Sequence, residues 1–159
     1  VPRPIALHHQ PGCGSASEVA AACAALEAAM DALGVPPDSE VALVFSDDTE
    51  LRALNLSYRG QDKPTDVLSF PGDPADLPPG EPPYLGDIVI SVAQAAKGAA
   101  QAGQSLTDEL RLLAVHGLLH LLGHEDETDA GAEEMVRLEV ALGVRAGEEV
   151  FEDEVGKEN

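Results

Sequence analysis

"LRLLAVHGLLHLLGHED", residues 110–126, decides how the rest of the chain is read. From Leu110 to Leu122 its only polar positions are Arg111, His116 and His120. A helix this apolar on every side is enclosed nearly all round, so the fold has to be built around it. At about 100° per residue, positions four apart project in nearly the same direction, and His116 and His120 stand side by side. A lone buried histidine is more often a hydrogen-bonded core residue than a ligand. Two on one face are harder to explain that way, and at this spacing both imidazoles reach one zinc ion at about 2.0–2.1 Å. Around this helix, further helices interleaved with a few strands are expected to form a compact layer of helices on a small sheet.

The residues after the helix extend the same reading. Gly123 stands where a helix ends in left-handed geometry and the chain turns back, which brings a following side chain to the same ion. Asp126 completes the spacing H-x3-H-x5-D. Two histidines and one carboxylate form a catalytic zinc set with an open position for water. His124 is the alternative third ligand, nearer the turn and intrinsically the better zinc donor. Glu125 and Asp129 are acids close enough in sequence to hold the ring protons of ligating histidines. One absence also counts. A zinc protease of the HExxH kind carries its general base directly after the first histidine, where this chain has Gly117. Asp66 and Asp87 are the carboxylates left to serve as a base if the fold brings them close.

Working outward, Ser105 and Asp108 form a capping-box pattern at the start of this helix, and Ser15 with Glu18 forms another for a helix running to Leu33. That helix carries a stripe of Val19, Cys23, Leu26, Met30 and Leu33, which makes Cys23 a core residue by default. "RPIALHH" reads as a short first strand and "EVALVF" as a buried one. Asp47 and Glu50 open a helix with Leu51, Leu54 and Tyr58 on its apolar face. "TDVLSF" reads as a strand, "PGDPADLPPGEPP" as a surface loop or lid, and "YLGDIVISVA" as a second buried strand leading into a helix that ends near Gly103. A last helix from about Asp129 to Leu142 shows Met135, Leu138 and Leu142 on one side. Residues 1–147 are expected to form a single domain and residues 148–159 an acidic, flexible tail.

The chain has 159 residues with 29 acids against 9 bases, a formal net charge of −20. Such a surface repels polyanions and argues against a general nucleic-acid coat, DNA included. A local basic cleft remains compatible with it, because exposed charges more than about 8–10 Å apart are largely screened at physiological salt. Where the nine bases lie therefore matters more than the total. Two cysteines are too few for a disulfide framework, and the first residues lack the order of a signal peptide, so a cytoplasmic protein without a membrane segment is expected.

Two of the bases, Arg59 and Lys63, sit in "NLSYRGQDKPTDVLSFP" at a helix end and a proline-restricted loop. Arg59 offers a planar charged fork suited to phosphate oxygens, or it complements the helix dipole. This segment, "GDIVIS" and "HGLLHLLGHED" with Met135 nine residues beyond Asp126 closely resemble the YbeY family of bacterial endoribonucleases, also called ribosomal RNA maturation factors. The resemblance covers roughly residues 40 to 145. It implies an α+β fold, a small, mostly mixed β-sheet packed with helices and a zincin-like metal helix, with one zinc ion held by an H-x3-H-x5-H helix and turn. It also implies cleavage of single-stranded RNA in maturation of the 16S rRNA 3′ end and in ribosome quality control. Small-subunit ribosomal proteins and ribosome assembly factors are then expected partners. By position, His116 and His120 match the first two ligands, and Asp126 falls where the family has its third histidine. His124 falls at the family's aromatic position. Arg59 matches the arginine expected to face the RNA phosphate, with Lys63 beside it. Arg59 and His116 are thus the catalytic candidates, and Arg59 and Lys63 the substrate-binding ones. Two other readings stand beside this one: a peptide or amide metallohydrolase, from the zincin-like H-x3-H-x2-G spacing, and a non-enzymatic ribosome-associated adaptor with structural zinc.

Overall fold

The computed structural model describes residues 4–146. In chain order the elements are β1 (Ile5–His9), α1 (Ala16–Ala32), β2 (Glu40–Ser46), α2 (Asp48–Arg59), β3 (Val67–Pro71), β4 (Tyr84–Ser91), α3 (Val92–Ala102), α4 (Leu106–Leu121) and α5 (Asp129–Ala141). The sheet runs β1-β2-β4-β3, with β1, β2 and β4 parallel and β3 antiparallel to β4. It is the small mixed sheet expected of an α+β protein. The proline-rich segment between β3 and β4 holds one short 3-10 turn at Pro74–Asp76 and is otherwise irregular.

Each strand contributes to two faces because successive side chains alternate. Val41, Leu43, Phe45, Ile88 and Ile90 join α1 and α4 in the main core, while Leu68 and Val89 meet Leu51 of α2 on the opposite face. Helix α4 contributes Leu110, Leu113, Ala114, Val115 and Leu118 to the main core, which bears out its reading as an enclosed helix. It presses on the sheet at Gly117. A Cβ there would stand 2.6 Å from Ile88 Cγ2 and 3.1 Å from Ser69 Oγ. Ser69 Oγ donates to the Gly117 carbonyl at 2.9 Å, tying β3 to the helix. No helix among the described residues is long and apolar enough to cross a membrane.

The caps largely follow the sequence signals. Ser15 and Glu18 form a complete capping box, and Asp47 accepts from the Glu50 amide. At Ser105 only half the pattern forms: its hydroxyl accepts from the Asp108 amide, but the Asp108 carboxylate turns to Arg111. Cys23 packs, partly buried, against the main core as its stripe predicts, and Cys13 is buried within that core. Two expectations are corrected. Tyr58 is 69% exposed and leans its ring on Phe70, so α2 buries Leu51 and Asn55 instead. Thr65 and Asp66 precede β3 rather than belonging to it. The acidic tail lies outside the described residues.

Gly117→Ala tests the seat of α4. Alanine favours a helix interior by up to about 1 kcal/mol, but overpacking against a branched strand residue costs about 1–3 kcal/mol. We expect a net loss of about 1 kcal/mol, seen as a lower urea midpoint with an unchanged slope.

Candidate metal centre

With Gly117 against the sheet, His116 and His120 come to one edge of α4, facing the turn that leads into α5. They are partly buried, their side chains 22% and 30% exposed. Gly123 adopts φ +100°, a region closed to most side chains, and reverses the chain after the helix. The His124 amide then bonds back to the Leu119 carbonyl. Asp126 follows and brings Oδ2 to 3.5 Å from His116 Nε2 and 3.6 Å from His120 Nε2. The two Nε2 atoms are 3.1 Å apart.

The ring protons explain why these nitrogens face one another. His120 Nδ1 lies 3.1 Å from the His124 carbonyl oxygen, which only accepts, so Nδ1 carries the proton. His116 Nδ1 lies 2.6 Å from Glu139 Oε2, and the other oxygen of that carboxylate accepts from Arg145 Nε at 2.9 Å. Both Nδ1 atoms are donors, so in the neutral rings both Nε2 atoms present lone pairs to one another. A cation relieves that repulsion. Tetrahedral donors at about 2.0–2.1 Å from a zinc-like ion are about 3.3 Å apart, and 3.1, 3.5 and 3.6 Å bracket that value. The donor set therefore fits a metal ion. Burial disfavours a charged His116, but Glu139, then Asp126 and Asp66, outweigh it and hold its pKa above the ordinary histidine value.

Among the described residues, His116, His120 and Asp126 are the group able to hold a metal. His124 is not in it and contributes its backbone carbonyl. The ring-proton partners also differ from expectation. Glu125 turns to its own loop, where bonds from the Thr128 hydroxyl and from the Thr128 and Glu127 amides keep its pKa below the ordinary carboxylate value. Asp129 simply starts α5. Glu139, fully buried, takes the role. It lies on the same face as Met135, one turn on, and an acid on an apolar stripe was the available signal.

A cavity of about 380 Å³ opens over the three donors, with Arg59, Asp66 and Ser69 in its walls. Arg59 is the last residue of α2. The loop that follows is held by buried Asn55, whose Nδ2 donates to the Lys63 carbonyl at 2.9 Å, and by the Ser91 amide, which donates to the Asp66 carbonyl at 2.9 Å. Lys63 itself is exposed and outside these walls. Asp87 is on the α2 face of β4, bonded by the Tyr84 hydroxyl, so of the two candidate bases Asp66 reaches the cavity.

An α+β fold with two imidazoles and a carboxylate converging in an open cavity defines a metal-site protein of the hydrolytic type, three protein donors leaving room for a further ligand. The family model "Endoribonuclease YbeY" matches residues 15–146. The Endoribonuclease YbeY of Moorella thermoacetica is 48% identical over 123 residues, 74% of this chain and 79% of that one. The Chelativorans sp. relative of the same name is 46% identical over 65% of this chain and 64% of its own, and that of Rhodopseudomonas palustris 43% over 83% and 70%. The solution structure of TM1509 from Thermotoga maritima has the same fold, with a TM-score of 0.60 at 23% identity over 99% of this chain and 97% of that one. The chain belongs to the Endoribonuclease YbeY family, hydrolases acting on RNA phosphodiester bonds.

Chelator competition separates these contributions. His124→Ala should keep metal affinity, because its backbone carbonyl remains, whereas Asp126→Ala should lose it. Glu139→Gln should weaken it about 10–100-fold. Gly131→Ala touches no ligand, yet a Cβ there would stand 2.3 Å from the Glu125 carbonyl oxygen. It should displace the turn carrying Asp126 and weaken metal binding too.

Proposed function

We propose that this protein is a zinc-dependent endoribonuclease that cuts single-stranded RNA in the cytoplasm. Its place is in maturation of the 16S rRNA 3′ end and in ribosome quality control. The observation that carries the reading is that Arg59 shares one cavity with His116, His120 and Asp126. Arg59 makes no side-chain hydrogen bond or ion pair among the described residues, so its guanidinium is free to take two phosphate oxygens. A zinc ion, when bound, supplies a Lewis acid and neutralises charge at the scissile phosphate.

His116, His120 and Asp126 hold the ion, and Arg59 orients the phosphodiester and stabilises charge that grows on its oxygens. Asp66, in the same walls, accepts the proton of the attacking nucleophile. Lys63, outside the cavity, meets RNA backbone farther along. The net charge of −20 complements basic small-subunit ribosomal proteins and assembly factors, which carry the protein to its RNA despite its acidity. A peptide hydrolase of the HExxH type is disfavoured because its base would sit at Gly117, where even a Cβ meets the sheet. A purely structural zinc is disfavoured by the open cavity above three donors.

Arg59→Ala should lower kcat/KM on single-stranded RNA about 10²–10³-fold with metal content unchanged. Asp66→Asn should lower kcat about 10²–10⁴-fold, also with metal retained. Full RNA cleavage by Arg59→Ala, or peptide cleavage by a wild type inert toward RNA, would sink the reading.

A further inference from the structure

Few of the bases are available to a polyanion. Arg3 and Lys157 lie outside the described residues, Arg52 pairs with Asp62, Arg111 with Asp108 and Arg137 with Glu134. Lys97 is near Asp48, and Lys63 is exposed on the loop after α2. Arg59 and Arg145 differ from these in lining cavities that also contain the metal donor His116. Arg145 lines a second depression, of about 680 Å³, which adjoins the metal-site cavity along Asp66, Val67 and His116. Together they form a groove in which those three residues, the metal donor His116 among them, lie between the Arg59 and Arg145 sides. Its floor on the Arg145 side includes Leu112 and Val144, apolar surface of the kind a nucleobase covers. Its acids are partly engaged, Asp108 with Arg111 and Glu109 with Gln104.

Arg145 is held in an unusual way for a surface arginine. Its Nε donates to Glu139 Oε1, and among the described residues it has no other side-chain partner. One edge of the fork is thus fixed by a buried carboxylate while the terminal nitrogens keep free donors. An arginine immobilised on one edge loses little further entropy when it binds a phosphate with the other.

We propose that Arg145 is a second phosphate-binding residue, taking the backbone of the same RNA strand on the far side of the metal centre from Arg59. The strand then lies along the joined groove, anchored on both sides of the bond to be cut. This rests on the endoribonuclease reading, and it makes that reading more specific. It also gives the Glu139 carboxylate two duties, orienting His116 and presenting Arg145.

The test is binding of a 2′-O-methyl single-stranded RNA, which resists cleavage, across a range of salt concentrations, with metal content measured on each sample. Arg145→Gln keeps a hydrogen-bond donor for Glu139 but removes the charge. It should retain metal, lower the slope of log affinity against log salt by about 0.7, and bind about fivefold more weakly at 0.1 M salt. Arg145→Lys should restore most of the slope. Combined with Arg59→Ala, the loss of slope should double to about 1.4. An unchanged slope in Arg145→Gln would overturn the proposal, as would loss of metal from both Arg145 variants with RNA binding falling only in proportion, since Arg145 would then merely hold Glu139. A wild type that fails to bind RNA would remove the endoribonuclease reading along with it, whereas binding by the wild type that ignores Arg145 removes this inference alone.

Discussion

Helix α4 meets the sheet at Gly117, where no side chain separates the helix backbone from Ile88 and Ser69, and the site takes its orientation from that contact. With one face of α4 against the sheet and its apolar residues packed with α1, His116 and His120 are left at the edge facing the Gly123 turn. The metal-binding face is thus a by-product of how closely the helix can approach β3 and β4. The same contact fills the position at which a zincin-type protease would carry its base. Of the two other carboxylates the sequence offers, Asp66, ahead of β3, lines the cavity.

Glu139 is the second organising feature. A fully buried carboxylate is costly unless its oxygens are paired, and here one accepts from His116 and the other from Arg145. The arrangement leaves His116 with its Nε2 lone pair turned toward His120 and Asp126. On the other side of the turn, Thr128 and Glu125 lock the entry to α5, and Gly131 lets that helix pass close to the Glu125 carbonyl. Asp126 is positioned by this local knot rather than by the helix that carries the histidines. A carboxylate among the three donors makes the site one charge more negative than three neutral imidazoles would, and water bound to a cation there less acidic.

Much of this was legible in the chain itself. Helix starts at Ser15, Asp47 and Ser105 appear as side chains accepting from the amide three residues on, since capping is decided within one turn. The buried strands read as apolar runs because both sheet faces are covered. Reading failed where burial depends on neighbours distant in sequence. Cys13, beside glycines that give no local pattern, is covered by the packing of other elements. Tyr58 has the right period for α2 but projects past the sheet edge onto Phe70. Glu139 was passed over because an acid is normally solvated, and its partners His116 and Arg145 cannot be paired with it by local spacing.

The sequence by itself determined that two histidines share a helix face, that the chain reverses at Gly123 and that a carboxylate follows, because helix period and turn chemistry act over a few residues. The motifs around them also carried the family. Only the tertiary structure decided that Asp126 and not His124 meets the histidines, that Glu139 holds the ring proton of His116, and that Arg59 and Arg145 open onto adjoining cavities. Those relations join residues from different elements, and their geometry is set by how closely helices and sheet pack, which no local pattern records.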